Sequence, residues 1–238
     1  MRHKGKSNRI ICQFCYSDYM LKTYRKNMEP ALQYNSDLLS SRDLTPEELR
    51  LPLVSILRIN GHGELINLQH LHNIVQIALA NPLCTLALWS KRKDFIKSYF
   101  DQEGHKVPGN LILIYSNPII DTVIRPDRLP KYFTKSFNAV DKDNHLEKQN
   151  CTGQKCKDCL LCYTHNDTST IVEAIKKEDL YSKKRTRTKT ASSTSTKTKT
   201  RQGVHISKMT GKLEGLLAIN TNTVTNKFCQ KMSATSRK

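Results

Sequence analysis

The hydrophobic positions of this chain fall in short blocks, separated by breaks marked with proline, glycine and asparagine. Three blocks are mostly apolar and rich in branched side chains: Leu53 to Asn60, Cys84 to Trp89, and Asn110 to Ser116. A strand covered on both faces has this character, because neither alternate set of side chains meets water. Asn67 to Ala80 instead puts Leu68, Leu71, Ile74, Val75, Ile77 and Ala78 on one helical face, and Asn81-Pro82 stops it. Asp94 to Phe100 predicts another helix, Phe133 to Val140 a fourth strand, and Thr168 to Glu178 a short helix. Nearer the start, Tyr16 to Leu39 has apolar residues at roughly helical spacing and predicts one or two helices, interrupted at Pro30. Leu44 to Leu49 predicts a further short helix, with Thr45 as N-cap, Pro46 at the first helical position and acids in the first turn.

Apolar strands separated by helices predict an α/β fold: a parallel sheet covered on both faces, in the form of a partial (β/α) barrel. Such proteins place their chemistry where strands run out into polar loops. Gly61 to Glu64, Trp89 to Arg92 and Tyr115 to Asn117 are such places. Residues 179–206 are Lys, Arg, Thr and Ser without an apolar face, which predicts a flexible linker. Apolar character returns at Leu213 to Ile219, a further strand. The chain therefore divides into a core over 1–178, a basic linker over 179–206, and a strand with a cysteine loop over 207–238.

Charge adds a partner to this picture. The 238 residues carry a formal net charge of +18, and Lys183 to Arg201 holds eight basic residues and no acid. Such a stretch is drawn to polyanions, and 183–201 is a candidate contact for nucleic acid. It has no interleaved aromatics, which suits phosphate attraction better than base reading. No apolar run is long enough to span a membrane. The basic start, Met1 to Lys6, is not followed by the apolar stretch of a secretory leader. These features predict a cytoplasmic protein.

In that compartment eight cysteines point to metal rather than to disulfides. Cys12 and Cys15 are three positions apart, with Phe14 between them, and can grip one soft metal from two sides. Cys151, Cys156, Cys159 and Cys162 form a complete four-thiolate set within twelve residues. The spacing leaves structural zinc and an iron–sulfur cluster both open there. Cys12 and Cys15 read as part of an iron–sulfur site, half of a zinc site, or an idle pair. Cys84 reads as a core residue. His62, between two glycines, reads either as lining a site or as a solvent-facing turn residue. His70 and His72, two apart, point to different faces of a helix and make a poor ligand pair. Lys91 and Arg92 read as anion-binding residues or as a solvated loop. No phosphate-binding P-loop, serine-nucleophile elbow or zinc-protease signature is present.

Residues 11–178 resemble the phage- and plasmid-borne gene product 88 family. The matching pieces are Cys12-x-x-Cys15-Tyr16, Arg58-Ile-Asn-Gly-His-Gly-Glu-Leu65, Asn81-Pro82, Leu88-Trp-Ser-Lys-Arg92, the strand from Asn110 to Asn117, and the cysteine cluster ending in Cys162-Tyr163. The order differs from the family's. A piece like Ser207 to Asn222, leading to a first cysteine, is expected ahead of Cys12, and here it comes last. The resemblance therefore implies a circular permutation, in which 207–232 supplies the first strand and Cys229 the first thiol. A linker of about 28 residues reaches roughly 30 Å on average, enough for that return.

Cys229, Cys12 and Cys15 together look like the three-cysteine loop of radical S-adenosylmethionine (SAM) enzymes. Those three would hold a [4Fe–4S] cluster with one iron open to SAM. Phe14 matches the aromatic residue of that loop, and Gly61, Gly63 and Glu64 resemble the motif that meets the methionine moiety. The resemblance implies reductive cleavage of SAM to a hydrogen-abstracting radical. Zinc or a second iron–sulfur cluster would occupy Cys151 to Cys162. The alternative is a non-catalytic, zinc-stabilised protein that binds nucleic acid through its basic segments.

Overall fold

The computed structural model describes residues 10–141, 148–175 and 218–219, with the backbone alone for Gln13, Phe14, Tyr16, Ala218 and Ile219. The expected linker over 179–206, Cys229 and most of 207–238 lie outside the described residues. The elements run α1 (Tyr16–Lys22), α2 (Glu29–Ser41), β1 (Ile56–Ile59), α3 (Leu68–Ala80), β2 (Thr85–Ser90), α4 (Lys93–Phe100), β3 (Leu111–Ser116), β4 (Lys135–Val140), α5 (Cys156–Cys159), β5 (Thr170–Ala174) and β6 (Ala218–Ile219). The protein is α/β. Its sheet has the order β5-β4-β3-β2-β1-β6, and every neighbouring pair is parallel.

From β1 to β5 the order runs in one direction, and β6 returns to the other side of β1. Right-handed crossovers through an unreversed order carry successive helices to the same face of the sheet. Leu57 and Ile59 of β1, Leu86 and Leu88 of β2, and Leu111 and Leu113 of β3 pack with Leu39 of α2, with Leu71, Ile74, Val75, Ile77 and Ala78 of α3, and with Ile96, Tyr99 and Phe100 of α4. The alternate residues Ala87, Trp89, Ile112 and Ile114 face the other way, and there they meet Tyr163, Leu160 and Cys162 instead of a helix. The second face is covered by the cysteine-bearing connection between β4 and β5, which keeps the strands apolar throughout. Each fully buried Leu or Ile in these layers contributes about 1.5–3 kcal/mol.

Two further expectations change. Thr168 to Glu178 does not begin a helix: Thr170–Ala174 is β5, paired with β4 from Ser136↔Thr170 to Val140↔Ala174. The β-branched run Thr170-Ile171-Val172 favours a strand, and an open edge of β4 was there to receive it. Leu44 to Leu49 makes one turn rather than a helix. The Thr45 amide donates to Glu48 Oε2 at 2.8 Å and the Glu48 amide to Thr45 Oγ1 at 3.4 Å, a reciprocal cap on a turn too short to propagate. Pro30 opens α2 rather than interrupting it.

Candidate functional site

Every strand points the same way, so one end of the sheet collects the loops that follow β1, β2 and β3. Asn60 ends β1 in the left-handed region (φ 57°), a conformation asparagine accepts more readily than most residues. Its Nδ2 donates to the Trp89 carbonyl at 3.1 Å, tying the first loop to β2. Gly63, at φ 93°, turns the chain so that Glu64 points back under the loop. The Glu64 carboxylate is buried. It accepts from Ser90 Oγ at 2.6 Å, from the Lys91 amide at 2.8 Å and from the Leu65 amide at 2.9 Å.

His62 lies in the same loop and is also buried, at 4% exposure, which replaces the solvent-facing alternative. Its Nδ1 meets Ser17 Oγ, and its Nε2 meets Arg25 Nη1 at 3.2 Å. A guanidinium only donates, so Nε2 is the accepting nitrogen. Nδ1 then carries the proton and donates to Ser17. Burial pushes the His62 pKa down to about 4, and the Arg25 and Arg58 cations add to this, so the ring is neutral at physiological pH. Ser17 is two residues past Cys15, within the first turn of α1. The histidine therefore fastens the Cys12–Cys15 segment to the loop after β1. A second fastening comes from the loop after β3: the Ile11 amide donates to the Pro118 carbonyl at 2.8 Å, and Ile10 bridges Ile119.

Gly61, Gly63, Glu64, Cys12 and Cys15 thus share the carboxyl end of the sheet, while only the backbone of Phe14 is described. Cys15 is a free thiol and Cys12 is disulfide-bonded. The expectation of reduced, metal-directed cysteines throughout is not met at Cys12, and none of the six free cysteines is its partner. Lys91 offers its amide to Glu64. Arg92 pairs with Asp94 at 2.7 Å and lies over the Phe95 ring at 3.3 Å, so its guanidinium is engaged at the start of α4. Cys84 is buried in the helix-side core, as the sequence predicts. His70 is buried in α3, whereas His72 meets the Tyr99 hydroxyl at 2.9 Å, so the two face different ways.

The four-cysteine segment begins at β5, where the Cys151 amide donates to the Val172 carbonyl at 3.1 Å. It turns through α5 and, after Leu160 in the left-handed region (φ 56°), lays Tyr163 edge-on against Trp89 at 5.7 Å. Arg58 projects from β1 onto the same face, its guanidinium 4.4 Å from the centre of the Trp89 ring. Cys151, Cys156 and Cys159 all lie within electrostatic reach of Cys162. Burial, then Cys151, pushes the Cys162 thiol up to about 12, against the pull of Arg58. Gln154 Nε2 donates to Cys159 Sγ at 3.3 Å.

This donor set, four sulfurs on one short connection, fits a soft metal. Among the described residues no three His, Cys, Asp or Glu side chains converge closely enough to hold an ion, so binding requires the thiols to turn inward. Sequence reading missed Asn138, whereas Asn60, Ser90 and Asn117 lie in stretches that it marks. Asn138 Oδ1 accepts from Asn117 Nδ2 at 3.1 Å and from the Ile124 amide at 2.9 Å, which joins the loop after β3 to β4. Asn60 is adjacent to the quoted glycine motif, which is the signal that was available for it.

Comparison with protein-family models, with curated proteins and with solved structures returned no match. Among the described residues no helix is long and apolar enough to cross a membrane.

Proposed function

We propose that the protein is a metal-binding protein resembling radical SAM enzymes, with its first strand and first cysteine delivered from the far end of the chain. One observation carries this reading: the Cys12–Cys15 segment is fastened, through Ser17 and His62, beside the Gly61–Glu64 loop at the carboxyl end of a parallel sheet whose order runs unreversed from β1 to β5. An unreversed parallel order with helices on one face is the arrangement of a partial (β/α) barrel, whose helix-free face would be its lumen.

The edge strand β6 supports the permutation. It pairs parallel with β1, Arg58↔Ala218 and Ile59↔Ile219, so the chain leaves Ile219 at the same end of the sheet as Cys12. Cys229 follows ten residues later in sequence.

In this reading Cys12, Cys15 and Cys229 hold a [4Fe–4S] cluster. When bound, that group supplies an open iron and an electron for cleavage of SAM. The chain's own residues do the positioning. Asn60 and Gly63 shape the loop, Glu64 locks it to β2, and neutral His62 holds α1 without adding charge beside the thiolates. Gly61, Gly63, Glu64 and Phe14 would border SAM. Cys151, Cys156, Cys159 and Cys162 would hold zinc or a second iron–sulfur cluster.

A second reading is a non-catalytic, metal-stabilised protein that binds nucleic acid through 183–201. Glu64 favours it: three donors within the protein already engage the carboxylate that the first reading turns toward SAM.

Anaerobic purification with assay of iron, sulfide and zinc, together with the visible spectrum, separates the two. Iron and sulfide with a broad band near 400 nm, about half of it lost in Cys229→Ala, is the expected result. A colourless protein with stoichiometric zinc and no sulfide overturns the first reading. DNA binding that weakens steeply with salt, and disappears on deletion of 183–201, supports the second.

A further inference from the structure

Lys135 is the first residue of β4 and stands at the amino end of the sheet, opposite the Gly61–Glu64 loop. It is 2% exposed. A buried ammonium is costly unless a negative charge answers it. Of its three N–H groups, one donates to Asn166 Oδ1 at 2.8 Å and one to the Thr168 carbonyl at 2.7 Å, both neutral acceptors. Among the described residues no third acceptor and no carboxylate stands within hydrogen-bond or ion-pair distance of it.

Lys135 lines a cleft of about 230 Å³ together with Thr134, His165, Asn166 and Asp167. The wall formed by 165–167 is tied down at two points. Asn166 holds the lysine, and its Oδ1 also accepts from the Thr168 amide at 3.0 Å. His165 Nε2 donates to the Gly109 carbonyl at 2.9 Å, which leaves Nδ1 as an acceptor in the neutral ring. Asp167 is exposed and makes no ion pair or hydrogen bond among the described residues. One cleft therefore holds an ammonium and a carboxylate that answer neither each other nor a neighbour. A simple anion brought to Lys135 is repelled by Asp167, and a simple cation brought to Asp167 is repelled by Lys135. A ligand carrying both charges a few bonds apart answers both.

We propose that this cleft binds a small zwitterion of the α-amino-acid type, its carboxylate on Lys135 and its ammonium on Asp167. The Lys135 ammonium keeps its bonds to Asn166 and Thr168 and gives the carboxylate its remaining N–H. His165 offers a further acceptor for the ammonium. The site uses none of the cysteines, so it stands independently of the metal reading.

The test uses the full chain and three probes: L-alanine, propionate, which lacks the ammonium, and ethylamine, which lacks the carboxylate. Saturation-transfer NMR on the probe methyl groups reads binding at constant ionic strength. L-Alanine is expected to bind at least about tenfold more tightly than either half, the range of one charge-assisted hydrogen bond. Asp167→Asn, at an exposed position, is expected to bring L-alanine down to the level of propionate and to leave propionate no weaker. Lys135→Met is expected to abolish binding of both carboxylates; should that chain fail to fold, the Asp167 variant still decides. L-Alanine binding no tighter than propionate or ethylamine overturns the proposal, as does absence of binding by all three. Unchanged L-alanine affinity in Asp167→Asn overturns it as well.

Discussion

Ser90 Oγ donates to Glu64 Oε1 at 2.6 Å, and that contact closes the loop after β1 onto the end of β2. Both groups are buried, so the bond cannot be exchanged for water without opening the loop. Glu64→Ala leaves the Ser90 hydroxyl and the Lys91 and Leu65 amides without their acceptor. The expected cost is about 2–4 kcal/mol, against about 1 kcal/mol for Ser90→Ala. Urea denaturation of both variants checks the order, and an equal loss in the two argues against a shared acceptor.

His62 and His70 set the pH response. Burial holds both pKa values near 4, below the ordinary 6.5. As pH falls, the unfolded chain therefore takes up these two protons first. Their contribution is whole above about pH 6.5 and is lost between pH 6.5 and 4. Denaturant midpoints measured from pH 7.5 to 4.5 are expected to fall across that window, and to fall less in His70→Phe. His62→Ala is expected in addition to speed reaction of Cys15 with a thiol reagent, because α1 loses its tie to Ser17.

Trp89 is shared by both faces of the functional end. Its carbonyl receives Asn60, and its ring carries Arg58 on one contact and Tyr163 on another. Trp89→Ala is expected to cost about 3–5 kcal/mol and to free the cysteine segment from the sheet. Limited proteolysis at 151–163 reads the second effect. Asn60→Val, which forces a β-branched residue into a left-handed conformation and removes the bond to the Trp89 carbonyl, is expected to cost about 2–3 kcal/mol.

The strand order makes a prediction about connectivity. A chain rebuilt with 207–238 ahead of residue 10, without 179–206, is expected to keep the circular dichroism spectrum and to unfold at equal or higher denaturant. Loss of the cooperative transition in that chain, with the original intact, counts against β6 as the native neighbour of β1.

Much of this fold is legible in the residues. β1, β2, β3, α3 and α4 lie within a few residues of the apolar blocks that predict them, because periodicity is a local property. β5 was not legible, since Thr170 to Ala174 becomes a strand only through the open edge of β4. Which face carried helices depended on strand order, which no window of sequence contains. At the site, Cys12, Cys15 and Glu64 announced themselves by motif. Ser90 and Asn117 lie at strand ends that the pattern marks, whereas Asn138 gave no signal, because an isolated Asn looks the same whether it bonds water or a loop far away in the chain. Lys135 is the sharpest case: a lysine at the head of an apolar strand reads as a solvated flank, and its burial follows from the connection that folds over it.

The pairing of β6 with β1 also has a consequence for synthesis. Residues 218–219 leave the ribosome after every other strand of the sheet, so the nascent chain carries β1 with a bare hydrogen-bonding edge throughout translation. Closing that edge joins residues about 160 positions apart, a contact of the kind that forms slowly. The cell then holds, for a time, a domain whose sheet still lacks this edge strand.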